Sequence, residues 1–415
     1  MSRFATVNDQ MDTIRRGALE IVPEDELVRK LERSRAQDTP LVIKQGFDPT
    51  RPDLHIGHAV SIRKLREFQE LGHQVVFVVG DYTARIGDPS GRSETRPRLS
   101  PEEIEANAAT YAAQVGRILD LDRVRVEFNS KWLAPLDLAS ILELTATYTV
   151  ARMLERDDFA RRYADKRAIS VSEFMYPLMQ AYDSVALRAD VELGGNDQKF
   201  NLLVARTVQE RYEQPPQVCL IMPLLRGTDG EQKMSKSYDN YIGITEAPHE
   251  QFGKTMSIPD QLLEEWFALA LPMETDDLDR AMRIARVDPY AAKRELGRRV
   301  VALYHGDDAA ASAEAHFDRL FREHAAPDDV AVVRISLADD SIRYDPDRGV
   351  WLPGLLAAAG LAASNTEAVR LIQQGAVSVD SQRITDRNAV VPAAPGTGPL
   401  LQRGKRHFVR IEFTD

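Results

Sequence analysis

Short strand-type runs alternate with stretches of helical spacing through the first 225 residues, and that alternation restricts the fold more than any other feature. LVIKQGF (41–47) and QVVFVVG (74–80) are strand segments; the second is a continuous apolar run of the kind buried on both faces of a parallel sheet. Between them Ile56, Val60, Leu65, Phe68 and Leu71 keep a helical spacing, and Gly72 stands where helices end on glycine. Residues 41–80 therefore form a β-α-β unit, which closes right-handed in nearly all cases. DVELGG (190–195) opens the pattern again, leads into helical KFNLLVARTVQ, and is followed by VCLIMPLL (218–225). The fold class that follows is α/β, a doubly wound, Rossmann-like parallel sheet.

The remaining chain organises around this core. Residues 1–40 read as helices, with Leu27 and Leu31 on one face, and a mostly helical insertion near 100–170 opens at Ser100-Pro101-Glu102-Glu103. The α/β domain is placed at 1–242 and an all-helical domain at 243–325. A Pro- and Asp-rich linker is placed at 326–347 and a small α+β unit at 348–415. A total of 415 residues accommodates these units. The single cysteine, Cys219, excludes a disulfide framework and a Cys-rich zinc site. The N-terminal segment lacks a secretory apolar region and no 18-residue apolar run occurs, so the expected location is cytoplasmic, with no membrane partner.

Two short motifs carry chemistry. His55-Ile56-Gly57-His58 follows a strand and a Pro-rich turn and opens a helix, where backbone N–H groups favour anions. The imidazoles at i and i+3 share a face, and Gly57 permits close backbone approach. A surface helix cap or a zinc-binding His pair are the other readings, although no third ligand is suggested nearby. Lys233-Met234-Ser235-Lys236-Ser237 lies in a polar loop after the last strand. Two lysines and two hydroxyls on a loop suit a migrating, highly charged group such as pyrophosphate, or belong to ordinary solvated surface.

A third pattern lies in FMYPLMQAYD. Tyr176, Gln180 and Asp183 are spaced by four and three residues and share one helical face, either a solvated surface or a pocket for an ammonium and a phenol. Gly194-Gly195-Asn196-Asp197-Gln198 follows a strand and precedes a helix, a place suited to a ribose and a carbonyl.

HIGH after the first strand and KMSKS after the last form the double signature of class I aminoacyl-tRNA synthetases. The segments GFDPTRPDLHIGH, IGDPSGR, YPLMQAYD, GGNDQKFN, KMSKS and FGKTMSIPD resemble bacterial tyrosyl-tRNA synthetases, in the KMSKS-containing subgroup. The resemblance implies activation of tyrosine by ATP to tyrosyl-adenylate and pyrophosphate. Transfer to the 3′-terminal adenosine of tRNA(Tyr) follows. It implies that Tyr176, Gln180 and Asp88 hold the α-ammonium, that Asp183 accepts the phenol hydroxyl, and that Gln198 lies near the carboxylate or carbonyl. Gly195 and Asp197 are expected at the ribose. Gly46, Asp48, Gly57, Met234 and Ser235 belong with the nucleotide. Thr50 and His55 are assigned to the γ-phosphate, His58 to the ribose side, and Lys233 and Lys236 to the leaving pyrophosphate. Many relatives carry tyrosine where Lys44 stands, and that tyrosine is a second partner of the phenol; Lys44, a water or a neighbour takes that part here. Mg²⁺ is expected with ATP as substrate, without a resident metal or tightly bound cofactor.

Residues 350–415 carry seven Lys and Arg against five Asp and Glu, a net of +2 (7 − 5) in a chain of −11, leaving −13 elsewhere. That reversal suits an RNA-facing module, and the segment resembles an S4-type RNA-binding domain. Arg370, Arg403, Lys405 and Arg406 are the expected phosphate contacts. The resemblance further implies an anticodon-arm role for 243–325 and a homodimer joined through the insertion near 110–170. The competing readings are a tryptophanyl-tRNA synthetase and an inactive RNA-binding scaffold of the same fold.

Overall fold

The computed structural model describes residues 3–50, 53–90, 100–321, 330–339, 342–380, 382–404 and 407–415. The end of IGDPSGR, the Arg51-Pro52 step of the first turn, parts of the expected linker, and the candidate RNA contacts Lys405 and Arg406 fall outside these residues. Two compact units are present, Met1–Gly306 and Asp307–Asp415.

The first unit is built on a six-stranded sheet: β1 (Glu20–Val22), β2 (Val42–Phe47), β3 (Gln74–Val79), β4 (Val124–Phe128), β5 (Val191–Gly195) and β6 (Val218–Met222). Their order is β1-β6-β5-β2-β3-β4; β6 to β4 run parallel, and β1 pairs antiparallel with β6. The chain leaves β2 for β3 on one side and reaches β5 on the other. The C-terminal ends of β2 and β5 thus form the switch point where such sheets bind ligands. Two strands differ from expectation. Both β1 and β4 lie in segments read as helical, and both are edge strands with only partial burial, so neither carries a continuous apolar run.

The helix Ile56–Glu70 buries Ile56, Ala59, Ile62, Leu65 and Phe68 in the core shared with Val75 and Phe77. Its predicted glycine terminator holds: Gly72 has φ +91°, a left-handed conformation that glycine adopts without penalty. The expected helical domain does not form a core of its own. Helices Pro248–Met256, Leu263–Ala270, Thr275–Val287 and Pro289–His305 follow the α/β segment. Trp266, Phe267, Leu296 and Val300 join the same core as Leu65 and Phe68. Full burial of each large apolar side chain is worth roughly 1.5–3 kcal/mol, enough to erase a domain boundary at 242.

The second unit contains the helices Asp307–Phe321, Leu352–Ala358 and Asn365–Gln373. Its five-stranded sheet is ordered β11 (Gln382–Ile384), β10 (Val377–Val379), β13 (Gly396–Arg403), β14 (His407–Thr414), β7 (Ala331–Ser336). A three-stranded sheet joins β12 (Val390–Val391), β9 (Gly349–Trp351) and β8 (Tyr344–Asp345). The expected linker at 326–347 is corrected here: β7 pairs in parallel with β14, from Ala331 opposite Val409 to Ser336 opposite Thr414. Ile335 and Ile342 enter this unit's core with Val350, Leu355, Leu401 and Phe413. The strand alternates exposed Val332 with buried Ile335 only briefly, and its Asp-rich surroundings obscure that alternation.

Candidate active site

A cavity of about 270 Å³ opens at the C-terminal ends of β2 and β5, and every expected tyrosine, ATP and catalytic residue except Lys44 lines it. Asp183 and Tyr176 are buried and Gln180 is half-buried, which decides the polar stripe in favour of a pocket.

His55 caps the helix Ile56–Glu70 in extended conformation, and its N–H donates to His58 Nδ1 at 3.3 Å. The two imidazoles stack with centroids 3.6 Å apart. Burial, followed by Lys236 and Lys233, lowers the His58 pKa to about 3. Burial also holds His55 well below its ordinary value, aided by His58 and both lysines. Both rings are therefore neutral at pH 7 and act there as hydrogen-bonding groups without charge.

The KMSKS loop closes directly on this helix start. The Gly57 N–H donates to Met234 Sδ at 3.3 Å, and the Met234 N–H donates to the Leu225 carbonyl at 2.8 Å. A Cβ at Gly57 would stand 3.0 Å from His55 Nδ1 and 3.3 Å from Met234 Cβ. A side chain here would crowd both His55 and the loop, a different reason for glycine from ligand approach alone. Lys236 Nζ donates to the Asp53 carbonyl, and Lys233 pairs with Asp197. Both lysines are held at the cavity wall, and Ser235 N–H is fixed by Asn240 Oδ1 at 2.7 Å.

The stripe is anchored from outside its own helix, Val171–Leu187. Tyr176 donates its hydroxyl to Asp48 Oδ2 at 2.9 Å, and Asp48 Oδ1 accepts from Thr83 Oγ1 at 2.7 Å. Gln180 Nε2 donates to Glu192 Oε1 at 3.1 Å, while its Oε1 accepts from Asn201 Nδ2 at 3.0 Å. Asp183 accepts from Trp132 Nε1 at 2.8 Å and Asn129 Nδ2 at 3.4 Å. Burial raises the Asp183 carboxyl to about 6; Lys44 and those two hydrogen bonds oppose the rise. The group is mostly ionised at pH 7 yet remains an acceptor in a nearly dry setting.

Asp88 and Gln198 meet across the cavity, Gln198 Nε2 donating to Asp88 Oδ2 at 2.8 Å. Ser90 binds Asp88 Oδ1 through its N–H and its hydroxyl, at 2.9 and 2.6 Å. Behind them buried Arg156 reaches Ser90 Oγ at 2.5 Å and Asn201 Oδ1 at 3.2 Å. At the end of β5 a Cβ on Gly195 would lie 2.6 Å from Leu224 Cδ2 and 2.8 Å from Asp197 Oδ1, so glycine keeps this wall open. At Gly46 nothing but Val78 Cβ, 4.0 Å away, would meet a Cβ; the space in front of this strand end belongs to the cavity.

One expected tyrosine contact is corrected. Lys44 is fully buried and does not line the cavity; its ammonium bonds Ser184 Oγ, the Gln180 carbonyl and Glu192. No short motif marks Asn129, Trp132, Thr83, Arg156 or Glu192. The first two follow directly on the unforeseen strand β4, the place where the sequence signal was weakest.

Among the described residues no group of three or more His, Cys, Asp or Glu is arranged to hold a metal. In the C-terminal unit Arg370 is exposed on the helix Asn365–Gln373, whereas Arg403 donates to the Leu361 carbonyl at 2.8 Å and so braces its own fold.

Residues 36–322 match the family model for class I tRNA synthetases (W and Y), and residues 350–393 match the S4 domain. The Tyrosine–tRNA ligase of Moorella thermoacetica is 52% identical over 405 residues, covering 97% of this chain and 95% of that one. That of Geobacter sulfurreducens is 51% identical over 411 residues, covering 98% and 100%. Among solved structures, a C-terminally truncated mitochondrial tyrosyl-tRNA synthetase of Aspergillus nidulans superposes with a TM-score of 0.61. It is 24% identical and covers 76% of this chain and 94% of that one. The tyrosyl-tRNA synthetase of Archaeoglobus fulgidus complexed with L-tyrosine gives 0.58 at 23% identity, covering 74% and 100%. At those identities the structures show a shared fold.

Proposed function

The chain belongs to the tyrosine–tRNA ligases of the class I tRNA synthetase family, and from that premise we propose how its cavity activates tyrosine and which residues take part. The enzyme uses ATP to join tyrosine to tRNA. One observation carries the assignment of the site. A single cavity gathers the HIGH helix start, the KMSKS loop and a buried carboxylate, Asp183, with the polar groups Tyr176, Gln180 and Asp88.

Tyrosine lies with its phenol hydroxyl donating to Asp183 and its ammonium among Asp88, Tyr176 and Gln180. Its carboxylate is already a nucleophile at pH 7, so no general base is required. A carboxylate oxygen attacks the α-phosphorus of ATP, the bond to the bridging oxygen breaks, and pyrophosphate leaves with the electron pair. Catalysis is orientation plus charge stabilisation. Lys233 and Lys236 release Asp197 and the Asp53 carbonyl for the phosphates. Neutral His55 and His58 donate hydrogen bonds at the helix N-terminus, with Thr50 beside them. Mg²⁺ enters with ATP on phosphate oxygens. A ribose hydroxyl of the 3′-terminal adenosine of tRNA(Tyr) then attacks the acyl carbon and AMP departs.

The C-terminal unit supplies tRNA phosphate contacts, Arg370 first among the described residues. The active form is a homodimer. Leu138, Leu142, Val150 and Tyr163 are 74%, 60%, 62% and 68% exposed within one segment of the insertion, an apolar concentration that supports an interface. Light scattering checks this: a dimer of wild type and a monomer of Leu142→Asp are expected, and a monomeric wild type would refute it. The enzyme acts in the cytoplasm; no helix among the described residues is long and apolar enough to cross a membrane.

ATP–pyrophosphate exchange with tyrosine, phenylalanine and tryptophan run in parallel tests the proposal. Exchange with tyrosine alone is expected. Exchange driven by tryptophan would overturn the assignment of the stripe.

A further inference from the structure

The reaction just described leaves unused a buried ion pair that sits directly behind the amino-acid pocket. Lys44 and Glu192 oppose each other on the adjacent parallel strands β2 and β5, with side chains 0% and 1% exposed and Nζ 3.1 Å from Oε1. Taking two charges out of water is costly, and their attraction alone does not generally offset the loss. Beyond the pair itself, Lys44 bonds only one turn of the helix above the sheet, and Glu192 bonds that turn and Gln217 Nε2 beside β6. Lys44 Nζ donates to Ser184 Oγ at 2.7 Å and to the Gln180 carbonyl at 3.1 Å. Glu192 accepts from Gln180 Nε2 at 3.1 Å and from Ser184 Oγ at 3.2 Å. Asp183 lies within that turn.

We propose that Lys44 and Glu192 are positioning residues for tyrosine: the pair clamps the turn 180–184 and thereby sets the side chains of Gln180 and Asp183 at the amino-acid pocket. This rests on the reading of the cavity as a tyrosine site. An apolar pair would fill the same space but would leave the Gln180 amide held at its oxygen alone, by Asn201 Nδ2. A carboxylate accepts only from the amide nitrogen, so Glu192, with Asn201 donating to the oxygen, fixes which end of Gln180 faces which neighbour. Lys44 in turn holds the helix through the Gln180 main-chain carbonyl, which does not move when the Gln180 side chain changes rotamer. The charged groups facing Asp183 are Lys44 from β2 and Glu192 from β5; Trp132 and Asn129 contribute hydrogen bonds. Lys44 favours ionisation of Asp183 more strongly than Glu192 disfavours it, so the pair together keeps the phenol's acceptor charged.

The test is exchange kinetics of the full-length enzyme carrying Lys44→Met with Glu192→Gln, which removes both charges together and leaves no lone buried ion. Ser184→Ala is the milder companion, because it deletes one bridge and keeps both charges. The double variant is expected to raise KM for tyrosine about 10- to 100-fold with kcat and KM for ATP within about 3-fold, the pattern of a misplaced pocket. Ser184→Ala is expected to raise the same KM by a smaller factor. The acid limb of tyrosine kcat/KM is expected to move to higher pH in the double variant, a shift that loss of packing alone would not produce. Unchanged tyrosine KM and an unmoved acid limb, in variants that fold, would overturn the positioning role. Should the double variant fail to fold, an unchanged KM in Ser184→Ala would do the same. Absence of tyrosine-driven exchange in wild type would instead overturn the reading of the cavity, and the proposal with it.

Discussion

Trp132 Nε1 donates a hydrogen bond to Asp183 Oδ1 at 2.8 Å. The indole comes from a four-residue helix just after β4 and the carboxylate from the helix Val171–Leu187, so the insertion orients the carboxylate proposed to receive the phenol. With Asn129 beside it, Asp183 has its acceptor geometry set before substrate arrives.

Asp183→Ala should therefore raise KM for tyrosine about 10- to 100-fold, the value of a hydrogen bond to a charged group, and erode rejection of phenylalanine. The rejection arises because phenylalanine would leave the buried carboxylate unpaired. Steady-state exchange with both amino acids checks this, and unchanged selectivity would exclude Asp183 as the acceptor.

Stability should move the opposite way. The Asp183 carboxyl titrates near 6 in the fold and at 3.8 in the unfolded chain. Between those values the native state holds the proton more tightly, so its contribution is greatest at low pH and is lost as pH rises through 6. Asp183→Asn, which resembles the protonated form, should be more stable than wild type by about 3 kcal/mol at pH 7 and about half that at pH 5. Urea unfolding of the ligand-free proteins measures the gap; a constant gap would contradict the shift.

His58 behaves in reverse. Its folded value near 3 lies below the ordinary 6.5, so the unfolded chain gains the proton first and stability is lost as pH falls below 6.5. About 2 kcal/mol of this contribution should disappear between pH 7 and pH 5. His58→Asn should flatten that part of the acid limb of unfolding, and an equally steep limb in the variant would show that other groups cause it.

Lys236→Ala should lower kcat of activation by roughly 10²- to 10³-fold, the loss seen when a donor to developing charge is removed, with tyrosine affinity within about 3-fold. Single-turnover pyrophosphate release resolves the two. A defect confined to tyrosine affinity would place Lys236 elsewhere in the reaction.

Arg370→Ala should weaken aminoacylation through KM for tRNA, reduce the salt slope of tRNA binding by about one phosphate contact, and leave exchange without tRNA intact. An unchanged salt slope would remove Arg370 from the RNA surface.

The sheet core was legible because β2, β3, β5 and β6 are buried strands, whose composition is dictated locally. The edge strands β1 and β4 were not, since a half-exposed strand shares its polar content with helices. Motif residues such as His55, Gly57, Asp197 and Lys236 were found because each stands beside a turn whose chemistry is written in consecutive positions. Lys44 was misplaced for a physical reason. Position on a strand predicts which face a side chain takes, but whether it reaches the ligand or a neighbour such as Glu192 depends on a strand some 150 residues away. Asn129, Trp132 and Arg156 act only through tertiary contacts, which no spacing encodes. The extent of the shared core, with Trp266 and Phe267 against the α/β unit, likewise depends on which amphipathic face meets which.

The central claim is that this one cavity converts tyrosine to its adenylate with Asp183 reading the phenol. Active-site titration measures it directly: radiolabelled tyrosine, ATP and pyrophosphatase without tRNA, followed by filtration of protein-bound label. A stoichiometric burst with tyrosine is predicted, with none from phenylalanine at the same concentration and a much reduced one from Asp183→Ala at tyrosine levels near the wild-type KM. A burst of equal size from phenylalanine, or an undiminished burst in Asp183→Ala, would contradict it.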